Sequence, residues 1–189
     1  RSSSLFDEKS EAIENRFDIN LEGIDYDAKF VFEAVGYNVE GSEIGAAFGL
    51  EQLKKLQKNI ITRKNNFKRQ CEFFDQHKKY FSNPLEVGDI NTAWLAFPVL
   101  INENAPFSRK EFQIYLEKRN IQTRVVFTGN IIKQPMMKGV KYKVLEGGYP
   151  NADAVMERGV LLPLHHGMKD SMFERLHKTI TEFIECFNG

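Results

Sequence analysis

The longest apolar pattern in the chain has helical spacing. From Leu53 to Phe74, large apolar side chains stand three, four or seven positions apart, and lysines occupy the opposite face. Ser42 stands before this stretch and is a typical N-cap residue. The pattern therefore predicts one long helix over about residues 42–78. Its first turns carry small residues that let another backbone approach closely: Gly45, Ala46, Ala47 and Gly49.

Three later stretches have the apolar and β-branched composition of strands. They are residues 94–101, 122–127 and 160–164. Proline has no N–H for a sheet ladder, so Pro98 places the first of these strands at a sheet edge or at a bulge.

Helical patterns separate and follow these strands. Ser108 and Ser171 each precede a glutamate by three positions, which is the capping-box signature of a helix start. Asn151 is expected to cap a short helix that ends near Arg158. The closing helix has an apolar face made of Phe173, Leu176, Ile180, Phe183, Ile184 and Phe187. The order of elements predicts an α+β fold, with a long helix followed by a small, mainly antiparallel sheet covered by helices.

Composition narrows the functional classes. The chain has 189 residues, 42% hydrophobic and 28% charged, which fits one globular domain or one domain with an appendage. Its 26 basic and 26 acidic residues balance, which argues against a nucleic-acid-binding or polybasic membrane protein. Cys71 and Cys186 lack metal-ligand spacing and are expected to be buried thiols of a reducing compartment.

The apolar runs of the sequence bear on the cellular location of the protein, and its first residue bears on the length of the protein. No apolar run has membrane-spanning length and no signal-peptide pattern occurs, so a cytoplasmic protein is the default expectation. The chain opens at Arg1 rather than at a methionine, and we therefore expect it to be part of a longer protein.

Standard catalytic motifs do not occur in the sequence. It has no phosphate loop, GxGxxG, HExxH or GxSxG, so nucleotide hydrolysis, zinc proteolysis and serine hydrolysis have no support. In "GYNVEGSE" (residues 36–43), Asn38 stands just before a helix N-terminus, which favours an anion. The plainer explanation is an asparagine in a turn that bonds to local backbone.

Two further stretches carry candidate ligand groups. In "QTRVVFTGNIIKQP", Arg124, Asn130 and Gln134 would suit a phosphorylated, hydroxylated ligand, because guanidinium binds phosphate and amides suit hydroxyls. A surface arginine with amides that satisfy loop backbone is the alternative. In "LLPLHHGM", His165 and His166 suit a ligand contact or acid–base chemistry. Adjacent residues on an extended segment point in opposite directions, so no metal site is expected there.

Together these segments resemble the C-terminal part of the DegT-type sugar aminotransferase and dehydratase family. Its members are pyridoxal-phosphate (PLP) enzymes of aminotransferase fold type I that act on nucleotide-linked 4-keto sugars. The stretch "IQTRVVFTGNIIKQP" looks most like the subgroup of CDP-4-keto-6-deoxyglucose 3-dehydrases. The matching pieces follow the family's order and cover roughly residues 25–185: "GYNVEGSEIGAAFGLEQLKKL", "RKNNF", "FSRKEFQIYLEKRNIQTRVVFTGNIIKQP" and "NADAVMERGVLLPLHHGM".

The resemblance implies a domain division and a cofactor contact. Residues 1–41 would be an irregular segment from the end of a missing large PLP domain, residues 42–78 a linking helix, and residues 79–189 the small domain. In the family the asparagine of the GYN turn crosses a homodimer interface to the PLP phosphate of the neighbouring subunit. Asn38, together with Tyr37 of the same turn, takes that place here.

The resemblance also implies substrate contacts. Arg124, Asn130 and Gln134 would lie near the mouth of the active site to bind the sugar nucleotide. His165 and His166 would lie on a nearby loop as further substrate contacts.

Parts of the family pattern are missing from this sequence. The cofactor lysine, in an S-x-x-x-x-K segment before a GEGG-like turn, does not occur, and the aspartate that pairs with the PLP ring nitrogen would lie upstream. In the 3-dehydrase subgroup a histidine replaces that lysine. Residues 1–35 lack the iron–sulfur cysteines of the 3-dehydrases, and Glu40 stands where family members commonly have a basic residue. No residue is assigned a catalytic role, and the chain is expected to be inactive alone.

We therefore expect the C-terminal portion of a PLP-dependent aminotransferase or 3-dehydrase of surface-polysaccharide or deoxysugar biosynthesis. Two rival interpretations are a non-catalytic sugar-nucleotide-binding module and a structural domain whose apolar faces a partner covers. Ligand binding that depends on Arg124 separates these two rivals. The sequence leaves the nucleotide, the sugar and the reaction outcome open.

Overall fold

The computed structural model describes residues 19–26, 37, 41–85, 87–88 and 91–187, and the chain divides into two compact units after Glu51. In the first unit, strands β1 (Ile19–Leu21) and β2 (Ile24–Tyr26) pair antiparallel. Glu22 and Gly23 join them, both with positive φ, which matches the twist of a two-residue hairpin turn. The prediction of an irregular segment over residues 1–41 is therefore wrong at this hairpin. The apolar run at residues 30–35 lies outside the described residues.

Helix α1 (Glu43–Asp75) is the predicted long helix, and it ends at Asp75 because residues 76–80 form turns. The N–H of Gly45 donates to Ser42 Oγ at 3.5 Å, so the serine caps the helix as predicted. The two halves of the helix differ in burial. The large apolar residues of the first half are exposed, among them Ile44, Phe48, Leu50 and Leu53, whereas the buried residues all lie in the second half: Asn66, Phe67, Gln70, Phe73 and Phe74.

The second unit is built on a four-stranded antiparallel sheet. Its strands run in the order β3, β4, β6, β5, so the last two strands along the chain exchange places in space. The alternating burial of β4 places Phe97, Val99 and Ile101 on the core face. The prediction of a small antiparallel sheet is confirmed. The strands are β3 (Phe81–Ser82), β4 (Ala96–Ile101), β5 (Arg124–Val125) and β6 (Gly159–Pro163).

Pro98 lies in an inner strand but at a position where the strand has one neighbour. On one side it pairs with Leu161 of β6. On the other side, β3 opposes only Leu100 and Ile101 of β4. Proline is therefore tolerated here because the ladder on the β3 side stops before reaching it.

Three helices, α2 (Arg109–Glu117), α3 (Pro150–Arg158) and α4 (Asp170–Glu185), complete the second unit. The capping box at α2 is confirmed, because Ser108 Oγ accepts from the Glu111 N–H at 3.2 Å and the Ser108 N–H donates to the Glu111 carboxylate at 2.7 Å. None of these helices, nor α1, is long and apolar enough to cross a membrane.

Two other helix starts were assigned to the wrong residue. Helix α3 begins at Pro150 after Tyr149, not at an Asn151 cap, because the fixed φ of proline suits the first helical position. Helix α4 begins at Asp170, one residue before Ser171, and no side chain caps it. Asp170 instead pairs with Arg69 of α1, with 2.5 Å between its Oδ1 and the arginine Nη1.

Phenylalanine rings join the elements of the core. Phe74 of α1 stacks on Phe97 of β4 with 5.3 Å between ring centroids. On the opposite side of the cluster, Phe112 of α2 contacts Phe81 and Phe183, each at 5.3 Å. The predicted apolar face of α4 is buried apart from the partly buried Phe187, while Cys71 is half-buried and Cys186 exposed, so the expectation of two buried thiols is wrong for Cys186.

A neutral histidine fills the contact between α1 and α4. The His177 ring stacks on Phe73 with 3.9 Å between centroids, and its Nε2 lies 2.7 Å from Oε1 of the fully buried Gln70. Burial, followed by the positive charges of Arg69 and His77, lowers the pKa of His177 from 6.5 to about 4. Protonation of this imidazole therefore opposes the packing of the two helices.

We expect His177 to make folding pH-dependent. Between pH 6.5 and 4 the unfolded chain binds a proton at His177 that the folded chain does not, so the free energy of unfolding falls as the pH drops through this window. Because the ring is partly solvated, the loss should be about 1–2 kcal/mol, less than the full shift implies. Urea denaturation of the wild-type chain and His177→Gln between pH 7.5 and 4 measures it.

The control is His166→Gln, which changes an exposed histidine. The difference in unfolding free energy between wild type and His177→Gln should narrow as the pH falls, whereas His166→Gln should follow wild type at every pH. A His177→Gln curve parallel to wild type across the window would contradict the assignment.

Candidate functional site

A cleft of about 410 Å³ opens beside the end of strand β6. Strand β5 contributes only two residues, which pair with Val160 and Leu161, so β6 has no strand neighbour on that side from Leu162 onward in the part of the chain described. The gap is bounded by the connection between α2 and β5, the loop after β6 and the first turns of α4. The cleft is lined by Ala96, Asn120, Ile121, Gln122, Arg124, Leu161, Leu162, Pro163, His165, Met168, Met172, Arg175 and Leu176.

The cleft combines an apolar lining with two guanidinium groups. An apolar pocket with a few polar groups is the usual form of a small-molecule site. Arg175 Nη2 is already engaged, because it donates to the Arg119 carbonyl at 2.6 Å. The Arg124 guanidinium forms no hydrogen bond or ion pair with any described residue, although arginine has five donors to satisfy. Arg124 is therefore the group in this cleft that is free to bind an anion.

The two histidines of the loop after β6 differ in position. His165 lines the cleft and His166 does not, and both are exposed. The N–H of Gly167 donates to His165 Nδ1 at 3.2 Å. That bond requires an unprotonated Nδ1, so in the neutral ring the proton is on Nε2. Asn66 Nδ2 donates to the His165 carbonyl at 3.1 Å and anchors the loop to α1.

Asn130 and Gln134 do not line this cleft. Asn130 is 4% exposed, and its Nδ2 donates to Asp153 Oδ1 at 2.7 Å. Gln134 Nε2 donates to the Thr128 carbonyl at 2.9 Å. Both amides therefore hold the loop after β5, and of the predicted substrate contacts the structure brings only Arg124 and His165 together.

Asp153 connects this loop to helix α3. Its carboxylate accepts from Lys133 Nζ at 2.7 Å as well as from Asn130. These hydrogen bonds, that of Lys133 first, lower the pKa of Asp153. The carboxylate is consequently charged at neutral pH and keeps both donors in place.

The loop after β5 also contains a close backbone approach. Gly129 has a φ of +60°, and a Cβ added there would overlap the Cβ and Cγ of Met156 on α3. Two separate constraints, the left-handed conformation and the lack of space, therefore require glycine. The loop is fixed to α3 through Gly129 as well as through Asn130.

Of the residues that line the cleft, the sequence predicted only Arg124 and His165, and three of the others bear on its chemistry. Met168 and Met172 lie on its apolar side, and Arg175 adds the second guanidinium. Met168 directly follows the His-His-Gly segment, which was a usable signal. Arg175 had no usable signal, because it stands between the apolar positions of α4 and looks like an ordinary solvent-facing residue.

The predicted cofactor contacts, Asn38 and Tyr37, stay predictions. Asn38 lies outside the described residues, and Tyr37 is 96% exposed. Among the described residues that line the cleft, the basic groups are Arg124, Arg175 and His165, none of which is an amine that could hold a carbonyl cofactor covalently. The described residues therefore do not by themselves fit a PLP site.

The family model for DegT/DnrJ/EryC1/StrS aminotransferases matches residues 5–181. The chain belongs to this family. The family inferred from the motifs is thereby confirmed, and with it the membership in a group of PLP-dependent enzymes.

Similar proteins include both dehydratases and transaminases. The chain is 31% identical over 171 residues to a dTDP-4-dehydro-2,6-dideoxy-D-glucose 3-dehydratase of Saccharopolyspora spinosa, covering 89% of this chain and 37% of the relative. It is 29% identical over 162 residues to the lipopolysaccharide biosynthesis protein RfbH of Salmonella typhimurium, covering 86% and 36%. A dTDP-4-amino-4,6-dideoxy-D-glucose transaminase of Escherichia coli is 30% identical over 149 residues, with 78% of this chain and 39% of the relative covered.

Solved structures of the same family share the fold. The Escherichia coli GDP-4-keto-6-deoxy-D-mannose-3-dehydratase with bound hydrated PLP matches 80% of this chain and 38% of its own, with 28% identity and a TM-score of 0.71. The ColD H188N mutant with bound GDP-perosamine matches 90% of this chain and 44% of its own, with 25% identity and a TM-score of 0.68. The chain thus spans less than half the length of these relatives.

We expect Gly129→Ala to displace the loop after β5 and to destabilise the second unit. The left-handed conformation alone costs an alanine about 1–2 kcal/mol, and the contact with Met156 adds to it. Thermal unfolding of wild type and variant measures the combined loss of stability. The matched control is Gly139→Ala, since Gly139 also has a positive φ, +84°, but a Cβ added there would have no neighbouring atom within 4 Å. Equal losses in the two variants would show that Met156 leaves room for the methyl group.

Proposed function

We propose that this chain is the C-terminal portion of a PLP-dependent enzyme that acts on a nucleotide-linked 4-keto-6-deoxy sugar. The reaction would be transamination or 3-dehydration, in surface-polysaccharide, lipopolysaccharide or deoxysugar biosynthesis. The observation that carries the proposal is the free Arg124 guanidinium at an apolar cleft, in a chain whose named relatives handle dTDP- and GDP-linked sugars.

Arg124 is the proposed contact to the diphosphate. A guanidinium binds phosphate oxygens through two parallel N–H donors, and this geometry cannot be reproduced by lysine. The neighbouring apolar side chains of Ile121, Leu161 and Met172 exclude water from one side of the cleft and strengthen the ion pair. His165, whose Nε2 carries the proton, supplies a donor to a sugar hydroxyl or carbonyl.

Asn130, Gln134 and His166 support the same site less directly. The two amides hold the loop that follows β5. To contact a substrate, Asn130 would have to give up its hydrogen bond to Asp153, or Gln134 its hydrogen bond to the Thr128 carbonyl. His166 remains a proposed substrate contact on the loop after β6.

The PLP cofactor, when bound to the intact protein, supplies the electron sink for the bond changes at the sugar. This chain would add Asn38 and Tyr37 as contacts to the cofactor phosphate of the neighbouring subunit. The exposed apolar residues of the first half of α1, among them Ile44, Phe48 and Leu50, fit burial against a large domain and a second subunit.

The proposal covers two reactions of the intact protein, transamination and 3-dehydration. The named relatives include both reactions, and the residue at the lysine position of the family decides between them. Determining the sequence upstream of Arg1 is the direct test. A lysine in the S-x-x-x-x-K segment would assign transamination, and a histidine would assign 3-dehydration.

A second candidate function is a binding module without chemistry. It is favoured by the observation that the cleft and its free arginine are formed within residues 96–176 of this chain. A purely structural domain, covered by a partner, is the third. Binding of a sugar nucleotide that Arg124 controls would favour the second over the third.

We expect the purified chain to have no transaminase activity with PLP, an amino donor and a nucleotide-linked 4-keto sugar. The physical reason is the lack of the family's cofactor lysine in residues 1–189. Turnover assayed by coupled detection of the keto acid should stay at the level of the protein-free control. Activity above that level would contradict the assignment of this chain as a non-catalytic portion.

We expect Arg124→Gln to weaken binding of a nucleoside diphosphate by roughly tenfold or more, because one charge-assisted bidentate contact is lost. Isothermal titration calorimetry with GDP measures the change. Arg124→Lys should recover only part of the affinity, since the charge is kept but the fork is lost. Lys110→Gln is the control, because it removes the same charge from the exposed surface of α2. Equal affinity in Arg124→Gln and Lys110→Gln would remove Arg124 from the site.

A further inference from the structure

Phe127 is a large aromatic residue in a position that normally suits glycine. Its side chain is 90% exposed and its φ is +46°, in the left-handed region. The N–H of Gly129 donates to the Val126 carbonyl at 3.0 Å, so Phe127 is the first central residue of a four-residue turn. Thr128 does not have a positive φ. Turns with a positive φ at the first central residue alone usually place glycine there.

Three independent contacts hold this turn. Gly129 packs against Met156 of α3, Gln134 binds the Thr128 carbonyl, and Asn130 binds Asp153. A strained residue persists only where its surroundings fix it. The two amides that the sequence singled out, the buried Asn130 and the partly buried Gln134, therefore help to hold the turn in which Phe127 has a positive φ and an exposed ring.

Packing against the described residues does not explain the position of the Phe127 ring, because 90% of the residue is exposed. It makes no ring contact within the described chain, and it does not line the apolar cleft. Arg124 stands three residues earlier in β5, so the two α-carbons are at most about 10 Å apart along the chain. An exposed phenyl ring and an exposed guanidinium this near in the chain are close enough for one nucleoside diphosphate to contact both.

We propose that Phe127 is the stacking surface for the nucleobase of the nucleotide-linked substrate. The proposal rests on the proposed function, in which Arg124 binds the diphosphate. A phenyl ring has no hydrogen-bonding group, so it accepts the face of any base without reading its edge. Phe127 then contributes binding strength to purine and pyrimidine nucleotides alike, and discrimination between nucleotides comes from other residues.

The test compares ligands with and without a base. GDP, dTDP and inorganic pyrophosphate are titrated into the wild-type chain, Phe127→Ala and Phe127→Trp by isothermal titration calorimetry. Loss of the stacking ring should weaken GDP and dTDP binding roughly 5- to 100-fold. Pyrophosphate affinity should stay within about twofold of wild type. Phe127→Trp should keep GDP affinity, because indole also presents an aromatic face.

Leu85→Ala is the matched control, since Leu85 is 88% exposed and lies in another part of the second unit. It should leave all three affinities unchanged. Light scattering at the same protein concentrations separates ligand binding from association. A Phe127→Ala variant with wild-type nucleotide affinity but a changed molecular mass would make Phe127 a protein contact and overturn the proposal.

The remaining outcomes separate this proposal from the one on which it rests. If the wild-type chain binds GDP and pyrophosphate with equal affinity, and Arg124→Gln loses both, the base adds nothing to binding. That result would support the diphosphate site and overturn the stacking proposal alone. Wild-type chain that binds neither ligand would overturn both. Selective loss of GDP and dTDP binding in Phe127→Ala supports both.

Discussion

The pairing between β5 and β6 determines the form of the candidate site. It consists of two residue pairs, Arg124 with Leu161 and Val125 with Val160. Because the ladder ends at Arg124, the rest of β6 has an open edge, and apolar residues of α4 line the space beside it. Arg124, the first residue of β5, lies at the cleft, and its guanidinium has no hydrogen-bond partner among the described residues. A longer β5 would have paired with β6 beyond Leu161 and occupied this edge of the sheet.

The local signals in the sequence were sufficient for most of the fold. The helical period of α1, the capping box at Ser108 and the apolar face of α4 each depend on neighbouring residues, and each was predicted correctly. The hairpin at Ile19–Tyr26 was missed because its strands are too short for periodicity to stand out from a charged segment. The start of α4 was misassigned because Asp170 pairs with Arg69, which is distant in sequence.

The candidate site was less predictable than the fold. Arg124 and His165 line one cleft, at the ends of two paired strands, while their role as substrate contacts stays a prediction. Asn130 and Gln134 were grouped with them by sequence proximity, but a turn at Phe127 directs their amides to Asp153 and Thr128. The conformation of that turn is held in part by the contact between Gly129 and Met156 of α3. Met156 is distant in sequence, so no pattern near the turn indicates this contact.

Burial along α1 is uneven, and this separates the stability of the folded chain from its tendency to self-associate. The second half of the helix belongs to the aromatic core and sets the resistance of the chain to denaturation. The first half presents Ile44, Phe48 and Leu50 to solvent, and these side chains bury little apolar surface. Self-association through these exposed side chains would join molecules that are already folded, so substitutions that strengthen the core would not prevent it.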